Sequence, residues 1–222
     1  MKKYILGTIS FLLLILVSCE KDNYDEPQSN LTGRIISAGA KEAIGVRETE
    51  GAVQVQLWQD GYELYTPIAV YVNQDGTFAA KLFDGTYKLV TRDNNGPWVN
   101  KRDTVVINVK GNTSVEYIVN PYYILKNENF NVNGKTLTVT FDIDEVTAGK
   151  SIERITLYVN STRFVDSSFK VKSTDATSPT VGTNTITMDL STLSNPVLYA
   201  RIGVKITDVD QMLYTAGSIK VK

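Results

Sequence analysis

An all-β chain, folded as two antiparallel β-sandwich domains in tandem, is the class this sequence predicts. Three observations predict it. Val, Ile, Thr and Tyr recur in short stretches that alternate apolar and polar, the period of a half-buried strand. Asp-Gly pairs and Gly-Asn steps punctuate those stretches at turn spacing. Long runs rich in Ala and Leu are missing, so little argues for helices. A length of 222 residues, 42% hydrophobic and 21% charged, suffices for two small cores. The divisions expected are a leader over residues 1–18, a tether over 19–29, and domains over 30–120 and 121–222.

The leader reads MKKYILGTISFLLLILVS. Lys2 and Lys3 form a basic start, and an apolar run from Phe11 to Val17 follows. This is the layout of a secretory signal, too short for a stable membrane-spanning helix. The next residue, Cys19, is the sole cysteine of the chain. The tetrad Leu16-Val17-Ser18-Cys19 resembles the bacterial lipobox: an aliphatic residue, a tolerant position, a small residue, then cysteine. That resemblance implies a diacylglyceryl group on Cys19 and cleavage before it. A single acyl chain holds a protein to a membrane only marginally, whereas two or more hold it firmly. With its thiol lipidated, Cys19 would serve neither a disulfide nor a nucleophile. The stretch EKDNYDEPQSN behind it is acidic and polar, with the composition of a solvated tether. Glu20, Lys21 and Asp22 also resemble the acidic export signal of surface lipoproteins in Bacteroidetes. The expected location is therefore the outer membrane, lipid-anchored, facing the cell exterior; the alternative is an anchor facing the periplasm.

In the first domain, LTGRIIS opens a strand. VQVQLWQ alternates, with Val53, Val55 and Leu57 on one face, and Asp60-Gly61 turns the chain into YELYTPIAVYV. Asp75-Gly76 and Asp84-Gly85 are further turns, each followed by Thr and an aromatic residue, with Phe78, Tyr87 and Leu89 inward. TVVINV and TSVEYIV form a final pair joined at Lys110-Gly111-Asn112. About seven short strands make a small sandwich. The pattern DGTF…LFDGTYKLV resembles the carboxypeptidase-regulatory or transthyretin-like domain, which implies an accessory module without catalysis.

The loop RDNNGPWVNKRD, Arg92 to Asp103, breaks the alternation and carries one of the two tryptophans. Trp98 has two readings: a core plug folded beneath the sheet, or an exposed stacking platform for a sugar ring. In the second reading Asp93, Asn94 and Asn95 supply hydrogen bonds, since sugars present CH-rich faces and hydroxyls together. Trp58, opposite in parity to Leu57, has the same two readings. The triplet Asp103-Thr104-Val105 resembles the O-glycosylation acceptor motif of Bacteroidetes, which would modify Thr104.

Pro121 breaks the last strand of the first domain and marks the boundary. KTLTVTFDID places Leu137, Val139, Phe141 and Ile143 on one face, and ERITLYVN does the same with Ile155, Leu157 and Val159. TITMDLS, LYARIGVKIT and GSIKVK supply further strands, giving a second sandwich with one polar face per sheet. The second domain resembles an immunoglobulin-like or fibronectin type III module. LSNPVLYARIGV is similar to the tyrosine corner of those folds around Tyr199 with Leu193, although Ile202 and Val204 stand out of the family register and the early-strand Trp is absent.

The chain has no histidine at all. A Ser-His-Asp triad, a His-ligated metal site and a histidine general base are thereby excluded. Asp142, Asp144 and Glu145 cluster in FDIDEV, and Asp208 and Asp210 in TDVDQ. Such acids can serve glycoside hydrolysis or calcium binding, but both clusters sit at strand ends where solvated acids are ordinary. No phosphate-binding Gly-rich loop and no basic patch occur, so neither a cofactor, a metal nor nucleic acid is expected.

The layout as a whole resembles a family of two-domain lipoproteins of Bacteroidetes known only as a domain of unknown function. The features that carry it are the lipobox, DNYDEP behind it, DGTF…GTY with NGPW, and the C-terminal sandwich. The resemblance implies association with outer-membrane nutrient uptake of the starch-utilisation type. The expected function is a non-catalytic surface lipoprotein that binds a glycan or assists its capture, with an outer-membrane transporter and its binding lipoprotein as partners. The alternative is a structural module that docks a partner protein without binding glycan. A carboxylate-dependent hydrolase is a third possibility, and it would require two acids converging in a cleft.

Overall fold

A computed structural model describes residues 25–49 and 51–222. The leader, Cys19 and the Glu20, Lys21 and Asp22 stretch lie outside the described residues. Every regular element described is a strand: β1 (Ser29–Ser37), β2 (Gln54–Trp58), β3 (Ile68–Tyr71), β4 (Thr77–Leu82), β5 (Gly85–Thr91), β6 (Val105–Val109) and β7 (Asn112–Val119), then β8 (Tyr123–Asn133), β9 (Thr136–Glu145), β10 (Ile152–Asn160), β11 (Lys172–Asp175), β12 (Gly182–Asp189), β13 (Tyr199–Ile206), β14 (Leu213–Tyr214) and β15 (Ile219–Lys220). The fold is all-β.

The first seven strands form two sheets, ordered β4-β1-β7 and β3-β2-β5-β6. Alternation sets the faces. Val55 and Leu57 of β2, Leu89 of β5 and Val109 of β6 are fully buried, and Leu31 and Ile35 of β1 meet them from the other sheet. Two local expectations are corrected. The turn at Lys110-Gly111-Asn112 does not make β6 and β7 a hairpin: β6 pairs with β5, while β7 crosses to the other sheet and runs parallel to β1. Alternation reports which face a residue takes, not which strand it will neighbour. Second, β2 and β3 do pair antiparallel, but β3 begins only at Ile68. Tyr62, Leu64 and Tyr65 therefore lie in an exposed connecting loop.

The second half also forms two sheets, β12-β9-β8 and β11-β10-β13-β14, with β15 on β13 as well. Leu137, Val139, Phe141 and Ile143 are buried as their spacing predicts, as are Ile155, Leu157 and Val159. The expectation of one polar face per sheet fails on β10 and β13. Thr156, Tyr158 and Asn160 are buried too, and so is the whole run Ala200–Ile206 except Lys205. The first domain and the segment between β10 and β11 cover that face.

Arg201 shows how. It is fully buried, and its guanidinium donates to Gln74 O at 2.7 Å, Gln74 Oε1 at 3.1 Å, Thr215 O at 2.9 Å and Val165 O at 3.4 Å. Its charged end lies 4.7 Å from the centre of the Tyr214 ring. Burial pulls its pKa down to about 10, so it remains a cation at neutral pH. Gln74 belongs to the first domain, and one arginine thus ties the two halves together. Around it, Thr49 donates to buried Asp166 at 2.5 Å, Gln211 Nε2 donates to Gly51 O at 2.8 Å, and Gly45 forms a β-bridge with Tyr214. A Cβ on Gly45 would fall 2.2 Å from Tyr214 O, so this bridge requires glycine. The ring of Tyr199 packs against the cluster of Tyr158, Val165, Met212 and Tyr214 at this interface.

Candidate functional site

The two tryptophans take opposite environments. Trp98 is only 3% exposed and belongs to the core. Its backbone bridges Pro121, with Val99 N donating to Asn120 O at 2.9 Å, so the loop is stitched to the start of the second domain. The ring lies on Gly96, where an added Cβ would sit 2.1 Å from a ring carbon. Trp98 cannot stack on a ligand; the core reading holds.

The polar residues of this loop hold the loop itself. Asn95 is buried, accepts from Gln54 N at 2.7 Å and donates to Ala52 O at 3.4 Å, fixing the loop to the start of β2. It cannot reach a ligand either. Asn94, at φ 55°, receives its Asn100 neighbour reciprocally: Asn94 N donates to Asn100 Oδ1, and Asn100 Nδ2 to Asn94 Oδ1, each at 2.8 Å. Both partners are thereby engaged in closing the turn. Asp93 accepts from Arg102 Nη2 at 2.7 Å, and this hydrogen bond raises the Arg102 pKa further.

Asp93 nevertheless lies at the rim of something else. Since Val55 and Leu57 face the core, Gln54, Gln56 and Trp58 face outward from the same strand. Lys88 stands opposite Trp58, and Val90 opposite Gln56. The loop after β2 folds Tyr65 against Trp58, with ring centres 4.9 Å apart and planes tilted by 36°. Tyr65 is 52% exposed. Gln56, Trp58, Tyr65, Lys88 and Val90, with Asp93, Arg102 and Thr104, line a shallow concavity of about 350 Å³. Trp58, Asp93 and Thr104 are thus brought together, while Trp98, Asn94 and Asn95 are not.

The electrostatics of this face are balanced. Lys88 pairs with Asp60 at 2.7 Å, and Arg102 with Asp93 at the same distance. The hydrogen bond from Lys88 holds the Asp60 carboxyl below its ordinary pKa, and the same bond raises Lys88. Each cation already has its carboxylate. A tilted aromatic pair flanked by amides and hydroxyls can take up an apolar ring face and hydrogen-bond its rim.

Gln56 could have been found from sequence, because VQVQLWQ gives it the parity of Trp58. Tyr65, Lys88 and Arg102 carried no such signal; a loop and two neighbouring strands deliver them. The acidic clusters do not converge. Asp142 accepts from Asn127 at 2.8 Å and Thr183 at 2.7 Å, Asp144 pairs with Lys126 at 2.9 Å, and Asp208 with Lys150 at 3.4 Å. Among the described residues no group of three or more acidic side chains is placed to hold a metal ion.

Fold and face together define a two-domain, all-β protein whose aromatic surface lies open on one sheet. Residues 29–120 match the N-terminal domain of a protein family of unknown function, DUF3823, and residues 123–218 match that family's C-terminal domain of unknown function. The chain belongs to the DUF3823 family. It is similar to a solved DUF3823 protein from Parabacteroides merdae, with 40% identity, 89% of this chain and 100% of that one covered, and a TM-score of 0.82. A second, from Bacteroides ovatus, shares 34% identity over 87% of this chain and 98% of its own, with a TM-score of 0.78. A third structure, from Bacteroides uniformis, bears the name "putative carbohydrate binding protein"; at 20% identity, covering 88% of this chain and 99% of its own with a TM-score of 0.71, it shares the fold. Comparison with curated proteins returned no match.

Proposed function

We propose that this protein is a non-catalytic, lipid-anchored surface module that captures glycan through the outer face of the β3-β2-β5-β6 sheet. The observation that carries the reading is the pair of half-buried Trp58 and exposed Tyr65, ringed by Gln56, Lys88, Asp93, Arg102 and Thr104. Two aromatic rings held outside the core leave apolar surface against water, which a stacked ligand would cover. A protein of the same fold bears a carbohydrate-binding name, which agrees with this reading. The chain has no histidine, so a Ser-His-Asp triad and a histidine general base are not available to it. The Leu16–Cys19 lipobox and the acids behind it fit an anchor in the outer membrane facing outward, beside a transporter and its binding lipoprotein. If Thr104 carries an O-glycan, that glycan would border the same concavity, and intact-mass analysis of native protein would reveal it.

The test is a glycan-array screen of the protein beside its Trp58→Ala variant. Binding that the variant loses supports the reading. Binding that survives in the variant would place the site elsewhere, and no binding across a broad panel would remove direct glycan capture. A second reading, protein docking, is favoured by the loop after β2, where Tyr62 is 63% and Leu64 80% exposed. Pull-down from outer membranes, lost on Leu64→Asp, would support it.

A further inference from the structure

The outward side of β2 does not end at the Trp58–Tyr65 pair. In register with Gln54, at the other end of the strand, stands Tyr71 of β3, and with Gln56 stands Ala69. Val70 between them faces the core, so Ala69 and Tyr71 share the outer face. Tyr71 is 62% exposed, and β3 is an edge of its sheet. From Gln54 to Trp58 the strand advances roughly 13 Å, longer than one sugar ring. Between the two aromatic ends lie the amides of Gln54 and Gln56. Among the described residues neither side chain has a hydrogen-bond partner within the chain, so each offers a free donor and a free acceptor. Ala69 is small and leaves the floor beside Gln56 clear.

The charges point the same way. Lys88 with Asp60, and Arg102 with Asp93, sum to zero at one end of this track. Both cations that line the concavity already hold a carboxylate, with which an anionic sugar would have to compete.

We propose that this face takes an internal segment of a neutral, linear glycan, laid along β2 from the Trp58–Tyr65 pair to Tyr71. The proposal rests on the glycan-capture reading and gives it a ligand class: neutral rather than acidic, and the interior of a chain rather than its end. Aromatic faces at both ends hold rings, the two glutamines between them read hydroxyls, and the exposed Tyr71 end lets the chain continue beyond the site.

The experiment is calorimetric titration with neutral gluco-, manno- and xylo-oligosaccharides from monosaccharide to hexasaccharide, their parent polysaccharides, and polygalacturonate as the anionic probe. Trp58→Ala and Tyr71→Ala are run beside wild type, each confirmed to melt as wild type does. In one neutral series the affinity should rise by about tenfold or more from disaccharide to hexasaccharide. Borohydride reduction of the chain end should leave the long-chain affinity unchanged. Tyr71→Ala should erase the gain with length, and Trp58→Ala should erase binding altogether. Full affinity for a monosaccharide, loss of binding on end reduction, or a preference for polygalacturonate that salt abolishes would overturn the proposal while leaving glycan capture intact. Failure of every saccharide to bind would overturn both, whether or not a protein partner binds this face.

Discussion

Trp58 and Trp98 are the same residue on neighbouring parts of one domain, with opposite consequences. Trp98 sits in a polar loop yet lies in the core at 3% exposure, while Trp58 ends a regular strand yet faces outward against Tyr65. The difference teaches that surroundings in sequence are a poor guide to the fate of a large aromatic. A loop can fold inward when its polar groups find partners, as Asn94 and Asn95 do. A strand residue takes the face opposite to its neighbours, and on β2 that face is the outer one. Trp98 therefore belongs to stability and Trp58 to the surface.

The sharpest way to break this comparison is Trp98→Ala, expected to cost about 3–5 kcal/mol in chemical denaturation, as for large buried aromatics elsewhere. A cost below that of an exposed substitution would mean the loop does not hold the ring in the core. Next is Arg201→Ala. It strips donors from Gln74, Val165 and Thr215 at the domain interface, and a loss of about 3 kcal/mol is expected. Arg201 does not line the Trp58–Tyr65 concavity, so glycan affinity of the folded fraction should not change; if it did, the two regions would be coupled. Asn95→Ala leaves Gln54 N without its acceptor and should lower stability by about 1–3 kcal/mol. It sharpens the comparison, because it tests whether Asn95 is an anchor of the loop that carries Trp98.

Trp58→Ala belongs at the other end of the scale. Its effect on stability should be about 1 kcal/mol, the loss of a half-buried ring's contact with Tyr65, while ligand binding is lost. A large destabilisation would move Trp58 into the same class as Trp98. The smallest effect is that of pH across the neutral range. The chain lacks histidine, the one side chain whose ordinary pKa falls between about pH 5 and 8, so thermal stability should be flat there. Asp60, Asp142 and Asp189 have folded pKa values below the ordinary 3.8, through their bonds to Lys88, Asn127 and Ser191 respectively. Their contribution is present above that value and disappears as pH falls through the lowered ones. Burial raises Tyr87, Tyr123, Tyr158 and Tyr214 above 10.0, so the stability tied to their neutral forms is lost as pH climbs past 10.0. Arg201, lowered by its burial, opposes that trend only in the same alkaline range. A melting temperature that moved between pH 5 and 8 would contradict this assignment.

Much of the fold was legible. Strict alternation in VQVQLWQ and KTLTVTFDID named inward residues that are indeed buried, because a strand's two faces are fixed by its own geometry. Half of the candidate surface was legible for the same reason: the parity that buries Leu57 exposes Trp58 and Gln56. Arg201 also left a trace, as one of two cations in the apolar run LYARIGVKIT, although alternation alone would have sent it to solvent.

By itself, then, the sequence determined the strand class, the inward faces, the turns, and the absence of histidine chemistry, since each is a property of local geometry or of composition. Only the tertiary structure decided which sheet β6 and β7 join, that the outer side of β13 is buried around Arg201, that Trp98 goes inward, and that Tyr65, Lys88 and Arg102 meet at Trp58. Those outcomes depend on contacts between residues far apart in the chain, such as Arg201 with Gln74 and Trp98 with Pro121. Local periodicity carries no information about such partners, because a strand's pleat specifies its two faces and leaves open what will cover them.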